Sequence, residues 1–389
     1  MYFNNSFFSL FNVYLRKIER KIRGLISLRP KSKTKGVILL SYVTHPFAIT
    51  KEELLKSPHT NPWECLEIAG ILLERGYAVD VIDWTNKLFT PKKKYKAIID
   101  VMENLGRLAP YLQKECVKIF YITGAYWAYQ NKAEQERLEE LKKRRGISLK
   151  PERQVKSSNN IEYADYVSSL GNNFAKETYA FAKKPITSIP LLTTALFQTP
   201  ENKNFKKIAK NFVWIGGGGA VHKGLDLVLE YFAIMPDYHL TVCGPVGVEK
   251  DFYDFYKKEL LETPNIEFVG RVDVRGEKFK KIIDNSVGLI YPSCSEGQAG
   301  SVTVAVHAGL IPIATYQSGV DVESFGIKLE KVSTEEIKRA VELISSLSEK
   351  ELRSRAIAAW KFANENFTRE TFRKSYETFI DGIFKERNL

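Results

Sequence analysis

Short apolar runs of strand length recur along this 389-residue chain, each followed by a polar or helical stretch, and that alternation confines the fold to the α/β class. GVILLSYV (36–43) follows a Pro- and Lys-rich break. NPWECLEIAGILLERGYAVDVIDW then reads as a helix with Leu66, Ala69, Leu72 and Leu73 on one face, ended by Gly76, and a strand over 78–82. Apolar strands joined by helices predict a parallel sheet, because parallel neighbours need crossover connections.

The alternation continues with VKIFYIT (117–123), a charged helix around NKAEQERLEELKKRRG, and ADYVSSLG (164–171). The polar stretch KPERQVKSSNN between them is expected to be a surface loop. TPENKNFKKIAK (199–210) separates this half from FVWIGGGG, LDLVLEYFAIM, YHLTVCG, NIEFVG, VGLIYPS and LIPIAT (310–315), a second series of strands and helices. Length alone makes two domains the leading expectation. We divide the chain into a basic extension (1–35), a first Rossmann-like domain (36–203), a second (204–365), and a final helix (366–389) that reaches back to the first.

The formal net charge of +12 invites a nucleic-acid reading until it is located: residues 1–35 hold nine Lys or Arg against one acid, eight of the twelve net charges. A local excess without a recognised binding motif argues against nucleic acid as a partner. Phe7, Phe11, Tyr14, Leu15, Ile18, Ile22 and Ile26 of this segment share one helical face. Such a helix lies on an anionic membrane surface, or packs on the protein's own surface with its charges solvated. No run of about 18 or more apolar residues appears, which argues against a membrane span. The aromatic residues that precede the basic cluster are in the wrong order for a secretory signal. Cys65, Cys116, Cys243 and Cys294 lie far apart, with no CxxC pair and no metal-ligand spacing, as expected of reduced thiols with no metal site. A cytoplasmic protein is expected, peripheral on the inner face of the cell membrane if the first reading of the helix holds.

Gly216, Gly217, Gly218 and Gly219 end a strand, where backbone amides and the next helix N-terminus favour phosphate. Lys223 follows closely, but Gly224 after it rules out the phosphate-binding loop pattern GxxxxGK[ST]. By itself a glycine-rich turn is more often plain turn chemistry. In YPSCSEGQAGSVTVAVHAGLIPIA a strand ends at Tyr291 and presents Glu296 before Gly297 and Gly300, a carboxylate able to accept hydrogen bonds from sugar hydroxyls. As a lone acid, Glu296 would more often be a helix N-terminal charge.

Together, GGGGAVHKGLDLVLEYF, YHLTVCGP, NIEFVGRV and YPSCSEG followed by AGLIPIATYQSGV resemble the C-terminal domain of family 4 glycosyltransferases, which have the GT-B fold. The resemblance covers about half the chain and points toward enzymes of bacterial surface-polysaccharide and lipopolysaccharide assembly. It implies two Rossmann-like doubly wound domains facing a cleft. It also implies retaining transfer of a sugar from a nucleoside diphosphate sugar to a glycan or lipid-linked acceptor, without metal or cofactor. Carried over by position, Lys223 neutralises the leaving diphosphate and Glu296 binds donor-sugar hydroxyls. Gly217, Gly218, Gly219, Gly297, Gln298, Ala299, Gly300, Ser301 and Val302 complete the donor site.

The chain departs from that pattern in three places. Val304 stands where a second glutamate is usual, and Gly217 where an arginine often precedes the lysine. His59, Thr60 and Asn61 replace the glycine pair of the first domain's ligand loop. With His45, Thr123 and Gly124 these three are candidates for the acceptor side of the cleft, although each histidine is equally well a plain loop residue. Trp63, Tyr126 and Trp127 could stack on a sugar ring, a role that competes with ordinary core packing. The departures keep two other readings open: a non-catalytic sugar- or nucleotide-binding protein, and a nucleotide-sugar 2-epimerase.

Overall fold

Seven strands form the first sheet of the computed structural model, which describes residues 10–57 and 59–389. They are β1 (Leu25–Leu28), β2 (Val37–Tyr42), β3 (Ala78–Asp83), β4 (Ala97–Asp100), β5 (Val117–Ile122), β6 (Tyr166–Leu170) and β7 (Ile186–Ile189), in the order β1-β3-β2-β4-β5-β6-β7. The second sheet has six: β8 (Asn211–Ile215), β9 (His239–Cys243), β10 (Ile266–Gly270), β11 (Gly288–Tyr291), β12 (Ile311–Thr315) and β13 (Ile327–Leu329), in the order β10-β9-β8-β11-β12-β13. Ile38, Leu39 and Leu40 of β2 are buried in succession, as are Val213 and Trp214 of β8, because helices cover both sheet faces. Every pairing is parallel except that of β1 with β3, where Leu25 lies opposite Ile82.

That antiparallel edge corrects the reading of residues 1–35 as an appended extension, since Leu25–Leu28 complete the first sheet. Ile26, placed on a helical face from sequence, is instead fully buried in β1. The helix itself runs over Leu10–Arg23 and turns into β1 at Gly24, whose φ of +64° suits glycine. Its Val13 is buried and Arg16 donates to the Phe47 carbonyl, while Tyr14 (64% exposed), Leu15, Ile18 and Ile22 (76%) face outward. Phe7 and the Phe11 side chain lie outside the described residues. None of the described helices is long and apolar enough to cross a membrane.

The C-terminal helices join the two halves. Ser348 opens the helix Glu349–Asn366 with a reciprocal capping box to Glu351, and Ala356, Ala359 and Ala363 bury its inner face against the second domain. Thr368 caps a new helix, Arg369–Arg387, which crosses to the first domain and adds Phe372, Tyr376, Ile380, Ile383 and Phe384 to its core. Arg75 and Asp381 pair at 2.5 Å along that contact.

A second clamp comes from the helix Trp127–Arg145. Arg137 and Arg144 both reach Asp226 of the helix Leu225–Ala233, at 2.9 and 2.7 Å, and Arg144 also pairs with Glu230 at 2.7 Å. Asp226 and the Arg137 side chain are buried there. Backbones meet as well: a Cβ on Gly171, Gly297 or Gly319 would collide with a neighbouring carbonyl, and the Asn172 amide donates to the Gly319 carbonyl at 3.0 Å. The cleft between the domains is therefore narrow and its walls are fixed in register.

Candidate functional site

The second sheet reverses its strand order between β8 and β11, the switch point at which loops of an open parallel sheet diverge and leave a crevice. The glycine loop 216–219 leaves β8 there, and the loop bearing Glu296 leaves β11. With the first domain opposite they enclose a cavity of about 480 Å³, lined by His59, Thr60, Gly217, Gly218, Lys223, Glu296 and others. Gly216 is required by close packing, since a Cβ would run into the Trp214 ring, and Gly219 has a φ of +89°.

Lys223 and Glu296 are 73 positions apart, and buried His222 is what brings them together. Its Nε2 donates to the Ser295 carbonyl at 2.6 Å, and its own carbonyl accepts from the Cys294 amide at 3.0 Å. Burial, then the Lys223 charge, pushes the His222 pKa down to about 4, so the ring is neutral at pH 7. The two loops are thus tied together behind the cavity. Lys223 Nζ then sits 2.6 Å from Glu296 Oε1.

Oε1 also accepts from the Tyr291 hydroxyl at 2.9 Å and the Ser293 hydroxyl at 3.2 Å. Oε2 has no hydrogen-bond donor among the described residues. Burial by itself would raise the Glu296 pKa, but Lys223, His222 and Arg153 outweigh it and hold the value at about 2. The group is a carboxylate at any physiological pH, with one oxygen committed and one available. Beside it, the helix Gly300–His307 begins with amides of Gly300, Ser301 and Val302 that have no intrahelical carbonyl to bind. Gly300 and Ser301 reach the cavity wall. A helix N-terminus and an ammonium side by side form a field suited to an anion.

Other expected residues are placed differently. The Gly219 amide donates to Glu249 Oε1 at 2.5 Å and the Ala220 amide to Oε2 at 2.9 Å, so an internal carboxylate already occupies the anion-binding edge of the glycine loop. Gly297 packs on the backbone of Thr123 and Gly124 instead of lining the cavity, and a Cβ there would strike the Thr123 carbonyl. Gln298 Oε1 accepts from the Leu191 amide at 2.8 Å, and the Ala299 amide donates to the Ser318 carbonyl at 2.8 Å. Val302 is wholly buried. Gly297, Gln298, Ala299 and Val302 thus build the wall from behind.

On the first domain, His59 and Thr60 line the cavity, and Asn61 begins the helix Asn61–Glu74. His45 is half-buried at the start of a short 3-10 turn near Arg20, its pKa lowered by burial and that charge, and it does not line the cavity. Thr123 and Gly124 line a neighbouring cavity of about 270 Å³ with Trp127 and Phe120. Trp63 is core, with the Arg369 guanidinium stacked 3.3 Å from its ring centre.

Sequence reading missed Tyr291, Ser293, Glu249 and Arg153. Ser293, three residues before Glu296, was the one with a local signal. Arg153 belongs to the stretch expected to be a surface loop, and the structure shows such a loop, largely exposed, whose Arg153 side chain lines the cavity.

No protein-family description matches the chain, and no curated protein does. Solved structures do. Sucrose-phosphate synthase from Thermosynechococcus elongatus superposes with a TM-score of 0.61 at 12% identity, over 90% of this chain and 99% of its own. HepE from Anabaena, in complex with UDP and glucose, gives 0.57 at 10% identity over 89% and 99%. TarM from S. aureus, in complex with fondaparinux, alpha-GlcNAc-glycerol and UDP, gives 0.53 at 13% identity over 72% of this chain. This chain spans only about half of TarM's length, 54%. Two parallel doubly wound sheets facing a cleft, with a C-terminal helix returning to the first domain, are the GT-B fold.

Proposed function

We propose that this chain is a retaining, metal-independent glycosyltransferase of family 4 type, which transfers a sugar from a nucleoside diphosphate sugar to a glycan or lipid-linked acceptor. The observation that carries the reading is the Lys223–Glu296 pair at the switch point of the second sheet, with one carboxylate oxygen held and the other available. Neighbours of the same fold that bind UDP support it, and UDP is therefore the first donor nucleotide to test.

In this reading the donor diphosphate lies against Lys223 and the first amides of the helix Gly300–His307. As the glycosidic bond to phosphate breaks, charge grows on the departing oxygen, and a cation and oriented amides already in place stabilise it without reorganising. Glu296 accepts hydrogen bonds from donor-sugar hydroxyls through Oε2, while Tyr291 and Ser293 keep its orientation. Val304 lines the cavity where a second carboxylate would stand, so ribose is held by other groups. The acceptor enters from the first domain, past His59 and Thr60 or through the cavity beside Thr123, Gly124 and Trp127.

The exposed apolar residues of the helix Leu10–Arg23, interleaved with Lys17, Arg20 and Lys21, support contact with an anionic membrane surface on the cytoplasmic side. A lipid-linked acceptor would be met there. Turnover of a panel of UDP-, GDP- and ADP-sugars, read by mass spectrometry, tests the activity. No product and no donor hydrolysis with any donor, together with calorimetric binding of a nucleoside diphosphate, would leave a binding protein in its place.

A further inference from the structure

Arg153 stands on the first domain yet lines the same cavity as Lys223 and Glu296 on the second. Its backbone is held on every side by the helix Trp127–Arg145. Glu134 Oε1 accepts from the amides of Glu152 and Arg153 at 2.9 and 2.7 Å, and Gln130 donates to the Arg153 carbonyl at 2.6 Å. Asn131 exchanges two bonds of 2.8 Å with the backbone of Val155 just beyond. The same helix grips Asp226 through Arg137, so the loop is fixed to both domains.

The side chain is placed with equal care. Its stem passes over Gly219, where a Cβ would come within 2.9 Å of Arg153 Cδ, so the glycine makes room for the arginine as well as for its own φ. Arg153 Nε is buried and has no hydrogen-bond partner. A buried guanidinium N–H without an acceptor costs free energy, and a phosphate oxygen in the cavity would supply one. In the same glycine loop, Gly217 occupies the position at which an arginine would precede Lys223, and a Cβ there would meet nothing within 4 Å. The second domain lines the cavity with two cations, Lys223 and Arg271, and leaves open space at Gly217.

We infer that Arg153 is the first domain's cation in the donor site, binding the diphosphate with its guanidinium fork and supplying the charge missing at Gly217. Two adjacent phosphate oxygens match the fork of an arginine, which a lysine does not reproduce. A donor site built this way is complete only when the domains are closed, so the diphosphate is gripped in the state that excludes water. The inference rests on the donor reading above.

The test uses the full chain and its Arg153→Ala and Arg153→Lys variants, titrated with UDP, GDP and ADP by calorimetry and with the parent nucleosides by NMR. For whichever diphosphate the wild type binds, affinity should fall at least ten-fold in Arg153→Ala and by less in Arg153→Lys, with nucleoside affinity and thermal unfolding unchanged. Diphosphate affinity equal to wild type in Arg153→Ala would overturn the assignment and leave the donor reading standing. Equal weakening of nucleoside and diphosphate, or a loss confined to the KM for acceptor, would overturn it too. A wild type that binds none of the three diphosphates overturns the donor reading and this inference together. Should Arg153→Ala not fold, Arg153→Lys carries the comparison, and wild-type diphosphate affinity in it would overturn the inference.

Discussion

Lys223 and Glu296 meet at 2.6 Å because neutral His222 ties the loop after β8 to the loop after β11. Lys223→Ala and Glu296→Gln should each lower donor turnover by about a hundred-fold or more, the scale seen when one preorganised electrostatic contact to a transition state is removed. Steady-state kinetics on the best donor check this, and wild-type kcat/KM in both variants would sink the site.

Acid stability follows from the same pair of loops. The folded-state pKa of His222 is lowered to about 4 from an ordinary 6.5, so the unfolded chain takes up a proton that the folded one refuses, and stability falls as pH drops from 6.5 toward 4. Glu296, lowered to about 2 from 4.5, adds stability above 4.5 that is lost as pH falls toward 2. Each contribution is on the order of 3 kcal/mol at the full shift. Urea unfolding between pH 7 and 3 should show the Glu296→Gln variant losing less stability than wild type below pH 4.5. Parallel curves would contradict the assignment.

Asp226 is buried against Arg137 and partly exposed Arg144, and removing Arg137 leaves it with Arg144 alone in the interface. Arg137→Ala is expected to cost about 1.5–3 kcal/mol, the scale of hydrogen bonds to a charged group, because Arg144 still compensates Asp226. Denaturant unfolding gives the loss, and small-angle scattering should show the two domains less closely held. A change below about 0.5 kcal/mol would mean that the clamp is ornamental.

Glu249 holds the amides of Gly219 and Ala220. Glu249→Ala should leave two buried donors without partners, at about 1–3 kcal/mol each if water does not replace them, and should raise the donor KM by loosening the glycine loop. Glu249→Gln, which keeps one carbonyl acceptor, is expected to fall between. An unchanged KM in Glu249→Ala would show that the loop's shape does not depend on that carboxylate.

The helix Leu10–Arg23 carries its exposed Leu15, Ile18 and Ile22 beside Lys17 and Lys21. Replacing Ile18 and Ile22 with Ser should lower co-sedimentation with vesicles containing anionic lipid, and high salt should lower it further, because both apolar burial and charge contribute. Binding that is equal to wild type, or equally strong on neutral vesicles, would remove this surface from the account. Neither residue packs in the core, so donor hydrolysis in solution should not change.

Much of the second domain was legible in the chain. Strands β8, β9, β10, β11 and β12 stand where their apolar runs predict, because strands buried on both faces leave little freedom in composition. Strands β1, β4, β7 and β13 were not anticipated. They are three or four residues long and three of them sit at sheet edges or beside one, where neighbours rather than composition decide pairing. In the first half, Gly171 gave no local sign that it would face Gly297 and Gly319 across the cleft.

The residues themselves determined that two parallel α/β units would follow one another and that Gly216, Lys223 and Glu296 would stand at strand ends, since periodicity and turn chemistry are local properties of the chain. Only tertiary structure decided which of those groups share a cavity. It committed Gly219 to Glu249, turned Gly297 toward Thr123, and laid the Arg153 side chain of a polar loop over Gly219 in the cavity wall. The reason is physical: a strand or a turn is settled by neighbours in sequence, whereas a site is settled by side chains and amides that burial forces to find partners far away along the chain or not at all.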